Sequence, residues 1–123
     1  MVSDLTISLA NRPGTLAQAL DALGHAGVNI DGACGFAEDD RGILHVLVVD
    51  TERARRALID AGFDILAESP AAVAAVENRP GAGAALMRRV ADAGVNVQLM
   101  YTTVDGRVVL LGNDVAAIQR ALG

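Results

Sequence analysis

Two stretches of this chain have the residue types and spacing to hold a small charged molecule. Asn11-Arg12-Pro13-Gly14 and Asn78-Arg79-Pro80-Gly81 are the same four residues, and each is followed fifteen residues after its glycine by an asparagine, Asn29 and Asn96. A Pro-Gly turn that opens a helix presents unpaired backbone N–H groups at the positive end of the helix dipole, a setting that holds a carboxylate. Glycine lets a ligand approach that backbone closely. Proline stiffens the turn at a place a helix tolerates. An asparagine side chain carries both a donor and an acceptor, so it can meet an ammonium and a carboxylate at once. Asp31 would suit an ammonium group, whereas Gln98, its counterpart after Asn96, is neutral. The two turns part company at Thr15-Leu16 and Ala82-Gly83, so two such sites should differ in size and affinity. Turn geometry alone also accounts for Pro-Gly, and each asparagine could simply tie strand to loop. Arg12 and Arg79 recur with the turns and read first as solvated surface.

Other chemistry is hard to find. Ser3, Ser8 and Ser69 have no adjacent general-base motif. Cys34 is the only cysteine, which rules out an intrachain disulfide and a Cys-x-x-Cys pair, and it reads as a small buried hydrophobe. His25 falls at a helix end and His45 on a strand face, too scattered to predict a metal centre. Glu38-Asp39-Asp40 lacks the alternation of a calcium loop. Gly81-Ala82-Gly83 follows a strand and opens a helix, but the third glycine of a dinucleotide fingerprint is missing. Tyr101, equivalent to Cys34 in the second repeat, is either a site residue or edge packing. The sequence therefore predicts a chain that is not an enzyme and needs no cofactor and no metal.

Composition narrows the partners. The chain has 123 residues, of which 52% are hydrophobic, with no Trp, one Tyr and two Phe, so its core rests on Val, Leu, Ile and Ala. The net charge of −5 argues against a nucleic-acid partner, since phosphate binding needs a basic patch. All ten basic residues are Arg, which excludes Schiff-base chemistry at a lysine. The first residues, MVSDLTISLANRPG, have no basic, apolar leader pattern, and no stretch approaches the roughly 18 apolar residues of a membrane span. A cytoplasmic location and no membrane partner follow as expectations.

The elements that must position these residues are themselves repeated. Besides the two turns, Ala26-Gly27-Val28-Asn29-Ile30 returns as Ala93-Gly94-Val95-Asn96-Val97, Leu20 as Met87 and Leu23 as Val90. After a loop that is three residues shorter in the second copy, Arg56-Ala57-Leu58 returns as Arg120-Ala121-Leu122. An ordered series of matches marks a duplicated fold. In the first copy Leu5, Ile7 and Leu9 alternate with polar residues, a half-buried strand. Leu16, Leu20 and Leu23 then fall on one helical face, and Gly24 and Gly27 end the helix, Gly27 as the better C′ residue. Val28-Asn29-Ile30 begins a second strand that runs to about Ala37. Glu38–Gly42 is a polar turn, and Ile43–Val49 a strongly apolar third strand. Asp50 or Thr51 caps a second helix with Ala54 and Leu58 inward and Ala57 a further candidate. Gly62 ends it, and Phe63–Ala67 is a short fourth strand. The second copy reads as strand Ala72–Glu77, helix Gly81–Ala93, strands Val95–Val104 and Arg107–Gly112, and helix Val115–Leu122.

The order βαββαβ is the ferredoxin-like arrangement. We therefore expect an α+β protein of two such units, residues 1–69 and 70–123, each an antiparallel sheet with helices on one face. The second unit has no fourth strand of its own, which leaves its first strand as an edge. Another chain or the other unit is expected to cover that edge, and Phe63–Glu77 could serve both copies around Pro70.

Many families share this unit. An RNA-binding version needs basic charge and exposed aromatics on the central strands, and a heavy-metal version needs cysteines in the first loop; both are lacking. An apolar strand, Asn-x-Pro-Gly, a helix of about thirteen residues and Ala-Gly-Val-Asn-Ile-Asp resemble the ACT domain. The chain resembles a free-standing tandem ACT protein along nearly all its length. ACT domains are regulatory amino-acid-binding modules of biosynthetic enzymes such as aspartokinase and phosphoglycerate dehydrogenase. The resemblance implies a ligand at an interface between two units, held by the loop after strand 1 of one and the start of strand 2 of its neighbour. Carried over, this points to Asn11, Pro13, Gly14, Thr15, Leu16, Asn29, Ile30 and Asp31 in the first copy. In the second it points to Asn78, Pro80, Gly81, Ala82, Gly83, Asn96, Val97 and Gln98. It further implies a non-catalytic regulatory module for a small amino acid or related metabolite, a homodimer or higher homo-oligomer, and a possible partner enzyme. The alternative is a ligand-free dimerisation or docking module.

Overall fold

The computed structural model describes residues 2–123. In chain order the elements are β1 (Ser3–Ala10), α1 (Thr15–His25), β2 (Gly32–Glu38), β3 (Arg41–Val48), α2 (Thr51–Asp60), β4 (Asp64–Pro70), β5 (Ala72–Ala75), α3 (Ala82–Asp92), β6 (Val97–Thr102), β7 (Arg107–Gly112) and α4 (Val115–Leu122). Two compact units meet between Ser69 and Pro70. The first carries a four-stranded sheet in the order β2-β3-β1-β4, the second a three-stranded sheet in the order β5-β7-β6. These are two ferredoxin-like units of an α+β protein.

In the first unit β3 pairs antiparallel with both β1 and β2, with Ile7 opposite Leu44 and Cys34 opposite His45. Leu5, Ile7, Leu9, Leu44, Val46 and Val48 form one face of the sheet and pack with Ala19, Leu23, Ala54 and Leu58 of the two helices. The other face carries Thr6, Ser8 and His45, yet Ile43 and Leu47 on that face are buried as well. A strand buried on both sides reads as an unbroken apolar run, which is how Ile43–Val49 stands in the sequence. The second unit repeats the plan with Ala72, Val108 and Leu110 against Leu86, Val90, Ile118 and Leu122.

Backbone chemistry sets the helix ends. Gly14 and Gly81 are the N-caps of α1 and α3, both left-handed, with φ of 92° and 85°. Neither has a side chain to accept from the first turn. In α1 the Thr15 hydroxyl holds the turn in a different way: it donates to the carbonyls of Ala10 (2.7 Å) and Arg12 (3.1 Å) and closes the turn, without accepting from the first-turn N–H groups. Ala82 has no such group. Asp50 and Asp114 cap α2 and α4 by accepting from Arg53 and Ala117. Gly27, Gly62 and Gly94 end α1, α2 and α3 in Schellman turns, with Val28 N–H to Leu23, Phe63 N–H to Leu58 and Val95 N–H to Val90.

Several expectations need correction. The buried side of α1 is Thr15, Ala19 and Leu23, while Leu16 and Leu20 are 49% and 36% exposed. Burial of a leucine contributes about 1.5–3 kcal/mol, but a small residue lets the helix lie close to the sheet, and Ala19 takes the central place. Gly24 does not end the helix; its carbonyl accepts from Gly27 inside the closing turn. Val28-Asn29-Ile30 is not strand: Val28 completes the Schellman turn, and pairing starts at Gly32. The hairpin is tighter than expected, since Glu38 pairs with Arg41 and only Asp39-Asp40 turns, with Asp39 at φ 56°. The expected strand Val95–Val104 shrinks to β6, with a register shift between Val97 and Leu99. The expected first strand of the second copy, Ala72–Glu77, shortens to β5.

β5 is the edge expected of it. β4 ends at Pro70 and β5 begins at Ala72, so a single residue separates the edge strand of one sheet from that of the other. Among the described residues no strand pairs with the outer side of β5.

Candidate functional site

The turn between β1 and α1 borders a cleft of about 450 Å³. Its floor and walls come from the end of β1, the outer flank of α1, the edge strand β2 and the start of β3. Leu16 and Leu20, the leucines that α1 turns away from the core, line it together with Cys34, Phe36, Ile43 and Leu44. Phe36 is 44% exposed. Arg12 is the only charged residue lining it, and its guanidinium has no acidic partner among the described residues. The cleft thus offers an apolar wall and one free cation beside a helix N-terminus.

Of the site residues named from the sequence, the structure brings Asn11, Thr15 and Leu16 to this cleft. The Thr15 side chain is already committed to the Ala10 and Arg12 carbonyls. Pro13 and Gly14 shape the turn without lining the cleft. Asn29, Ile30 and Asp31 do not line it either. The Asn29 amide donates to the Asp31 carboxylate at 2.6 Å, Ile30 packs on the core, and the Asp31 N–H donates to the Leu47 carbonyl. Asn29 and Asp31 therefore form a preassembled polar pair on the surface, with the asparagine oxygen unspent.

The second copy is built differently. A cleft of about 220 Å³ lies between β5 and α3, and of the named residues only Ala82 lines it; Asn78, Pro80, Gly81 and Gly83 do not. Its cations are occupied: Arg79 pairs with Glu77 at 2.5 Å, and Arg89 donates to the Leu122 carbonyl at 2.8 Å. Asn96 is exposed, Val97 packs on the core, and Gln98 donates to Asn113 at 2.7 Å. The Asn96 carbonyl sits so near Gly112 that a Cβ there would come within 2.4 Å of it.

Sequence reasoning missed Leu20, Cys34 and Phe36 as cleft residues. The signal was present for Phe36, an aromatic on an edge strand in a chain with two Phe. It also missed a buried polar cluster. Asp4, with no exposed surface, accepts from the Thr6 hydroxyl (3.2 Å) and lies 3.0 Å from His45 Nδ1, on whose ring Phe36 stacks at 6.1 Å between centroids. Thr6 Oγ1 lies 3.2 Å from the same His45 nitrogen. A catalytic relay needs the hydroxyl on one ring nitrogen and the carboxylate on the other. Here both meet Nδ1, so these contacts orient the ring and do not pass a proton through it. Among the described residues no three His, Cys, Asp or Glu side chains converge to hold a metal, and no helix is long and apolar enough to cross a membrane.

Exposed carboxylates titrate under local control. A hydrogen bond from Arg55 and its charge hold Glu52 below the usual glutamate range, and Glu52 and Glu68 together raise the Arg55 guanidinium. Asp105 is lowered by hydrogen bonds from Thr103 (2.5 Å) and Arg107 (3.0 Å).

No curated protein matches the chain. Solved structures do. A Bacteroides thetaiotaomicron protein is 27% identical, covering 99% of this chain and 87% of its own, with a TM-score of 0.87. The regulatory subunit of aspartate kinase from Thermus thermophilus, in a ligand-free form, is 20% identical over 98% of this chain and 89% of its own, with a TM-score of 0.71. That from Thermus flavus is 19% identical over 98% and 90%, with a TM-score of 0.68. The two Thermus subunits share the fold with this chain. The family model described as an ACT domain pair matches residues 1–121, both repeats included. The chain belongs to the family of ACT domain pairs.

Proposed function

We propose that this chain is a non-catalytic regulatory module that binds a small amino acid, or a related carboxylate, with an apolar side chain. The observation that carries the reading is the first-unit cleft, where the unpaired Arg12 stands beside apolar Leu16, Leu20 and Phe36 at the start of α1. The ligand carboxylate meets Arg12 and the free N–H groups of the first turn. Its side chain covers the leucines. No acidic residue lines the cleft, so the ammonium group needs an acceptor from elsewhere. The Asn29–Asp31 pair of a second copy of the chain is the group we assign to it. Ligand bridging two units then favours one arrangement of them, a population shift that a partner enzyme can read. The second copy, with its cations already paired, does not bind in the same way.

Calorimetric titration of the whole chain with each of the twenty amino acids tests this. Binding of apolar members, weakened at least tenfold in Arg12→Ala, is the expected result. Silence from all twenty at millimolar concentration, with the protein shown folded, removes the sensing role.

One observation favours a second reading. Leu16, Leu20 and Phe36 form an exposed apolar patch of the kind that marks an interaction surface. A docking module without a ligand would keep its oligomeric state and partner when Asn29 and Asn96 are both changed to Ala, and would give no ligand signal to lose.

A further inference from the structure

An edge strand presents unpaired N–H and C=O groups to whatever can pair with them. In the first unit β1 is spared this because β4 lies beside it. In the second unit β5 occupies the corresponding place with no strand on its outer side among the described residues. One side chain takes up the position instead. The Val73 N–H donates to Gln119 Oε1 at 3.0 Å, and Gln119 Nε2 donates back to the Val73 carbonyl at 3.2 Å. Both backbone groups of Val73 therefore point away from β7. A primary amide carries the same donor and acceptor as a peptide group. Gln119 makes the reciprocal pair of bonds that a residue of a neighbouring antiparallel strand would make.

The repeat supplies an independent comparison. When the two copies are aligned so that Arg56-Ala57-Leu58 meets Arg120-Ala121-Leu122, Gln119 falls on Arg55. Arg55 also reaches from its helix toward the same side of its own sheet. There it makes two bonds of 2.9 Å to the Glu68 carboxylate of β4. One helix position thus grips the fourth strand where there is one, and meets the bare strand edge where there is none. The chemistry differs to match: a guanidinium only donates and suits a carboxylate, while an amide both donates and accepts and suits a backbone.

We infer that Gln119 takes the place of a neighbouring strand beside β5, closing that edge against strand addition by a second copy of the chain. Ala72-Val73-Ala74-Ala75 has no charge, Pro or Gly, so it has none of the residues that guard an open edge. The amide is the guard.

Hydrogen exchange of the Val73 amide and sedimentation velocity, both on the full chain, test the assignment. In the unaltered chain the Val73 amide is protected and the sedimentation coefficient is independent of protein concentration in the micromolar range. In Gln119→Ala, at a concentration where the variant is monomeric, Val73 exchange accelerates at least tenfold while Leu110 in β7 is unaffected, and at higher concentration mass rises. Gln119→Arg separates the amide from mere coverage. It keeps a long side chain over β5 but cannot accept from Val73, so the same loss is expected. Protection of Val73 retained in either variant while it is monomeric, or self-association of both variants unchanged from the parent chain, overturns the inference.

Discussion

Thr15 shows how much one hydroxyl can decide. Its two bonds to the Ala10 and Arg12 carbonyls fix the turn ahead of α1 and place Arg12 at the cleft, while the first-turn N–H groups stay without a side-chain cap. Thr15→Val keeps the shape and removes both bonds, leaving two carbonyls without this partner. We expect a loss of about 1–2 kcal/mol, read as a lower urea midpoint with unchanged slope. Asp105 offers a second residue-level test. Its carboxyl is held low in the folded chain, so its contribution is complete above the ordinary aspartate value of 3.8 and is lost as pH falls through the depressed one. In Thr103→Val the Asp105 value, followed by NMR titration, should rise toward the ordinary value, and the acid limb of the stability curve should flatten.

At the scale of elements, two glycines should respond in opposite senses. Gly112 ends β7 where the Asn96 carbonyl and the Ile118 side chain leave no room for a methyl group. Gly112→Ala forces backbone apart and should cost about 1–3 kcal/mol. Gly83 lies inside α3 with nothing near its missing Cβ, so Gly83→Ala should gain about 0.5–1 kcal/mol. Thermal melts of the two variants check the pair. The same scale shows what could be read from the chain alone. Alternation in Leu5–Leu9, the capping Asp50 and the C′ glycines each have one local cause, and the elements appear where those causes put them. The inward face of α1 has no local cause. Leu16 and Leu20 satisfy the helical period as well as Ala19 and Leu23 do, and only the depth of the groove over the sheet selects the smaller set. That misreading also hid part of the cleft, because Leu20, assigned to the core, does not stand out as a site residue in the sequence. Asn29 and Asp31 stand out in the sequence as candidate polar groups, but their bond to each other depends on β2 starting late, at Gly32, which no residue type announces.

At the scale of the molecule, duplication has produced two units that share a plan and differ in what they expose. One has an apolar cleft with a guanidinium that has no acidic partner among the described residues; the other has engaged cations lining its cleft and an edge strand whose Val73 is bonded to Gln119. Saturating ligand should therefore stabilise the molecule unequally. At a hundredfold excess over Kd, binding adds about 2.7 kcal/mol, on the order of 10 °C in the transition that contains the first unit. Calorimetric scans with and without an apolar amino acid check this. An equal shift in the melting of the second unit when the two units melt separately would contradict a single working site.

The cleft is also built across strands of unequal permanence. β3 is paired on both sides and buried on both faces, so its amides exchange only when the whole unit opens. β2 is an edge, free to fray on far shorter times. A molecule resting on Ile43 and Leu44 of one and Phe36 of the other joins a slow clock to a fast one. Its arrival would be announced by the quieting of β2 with hardly any change of shape, a signal carried in fluctuation.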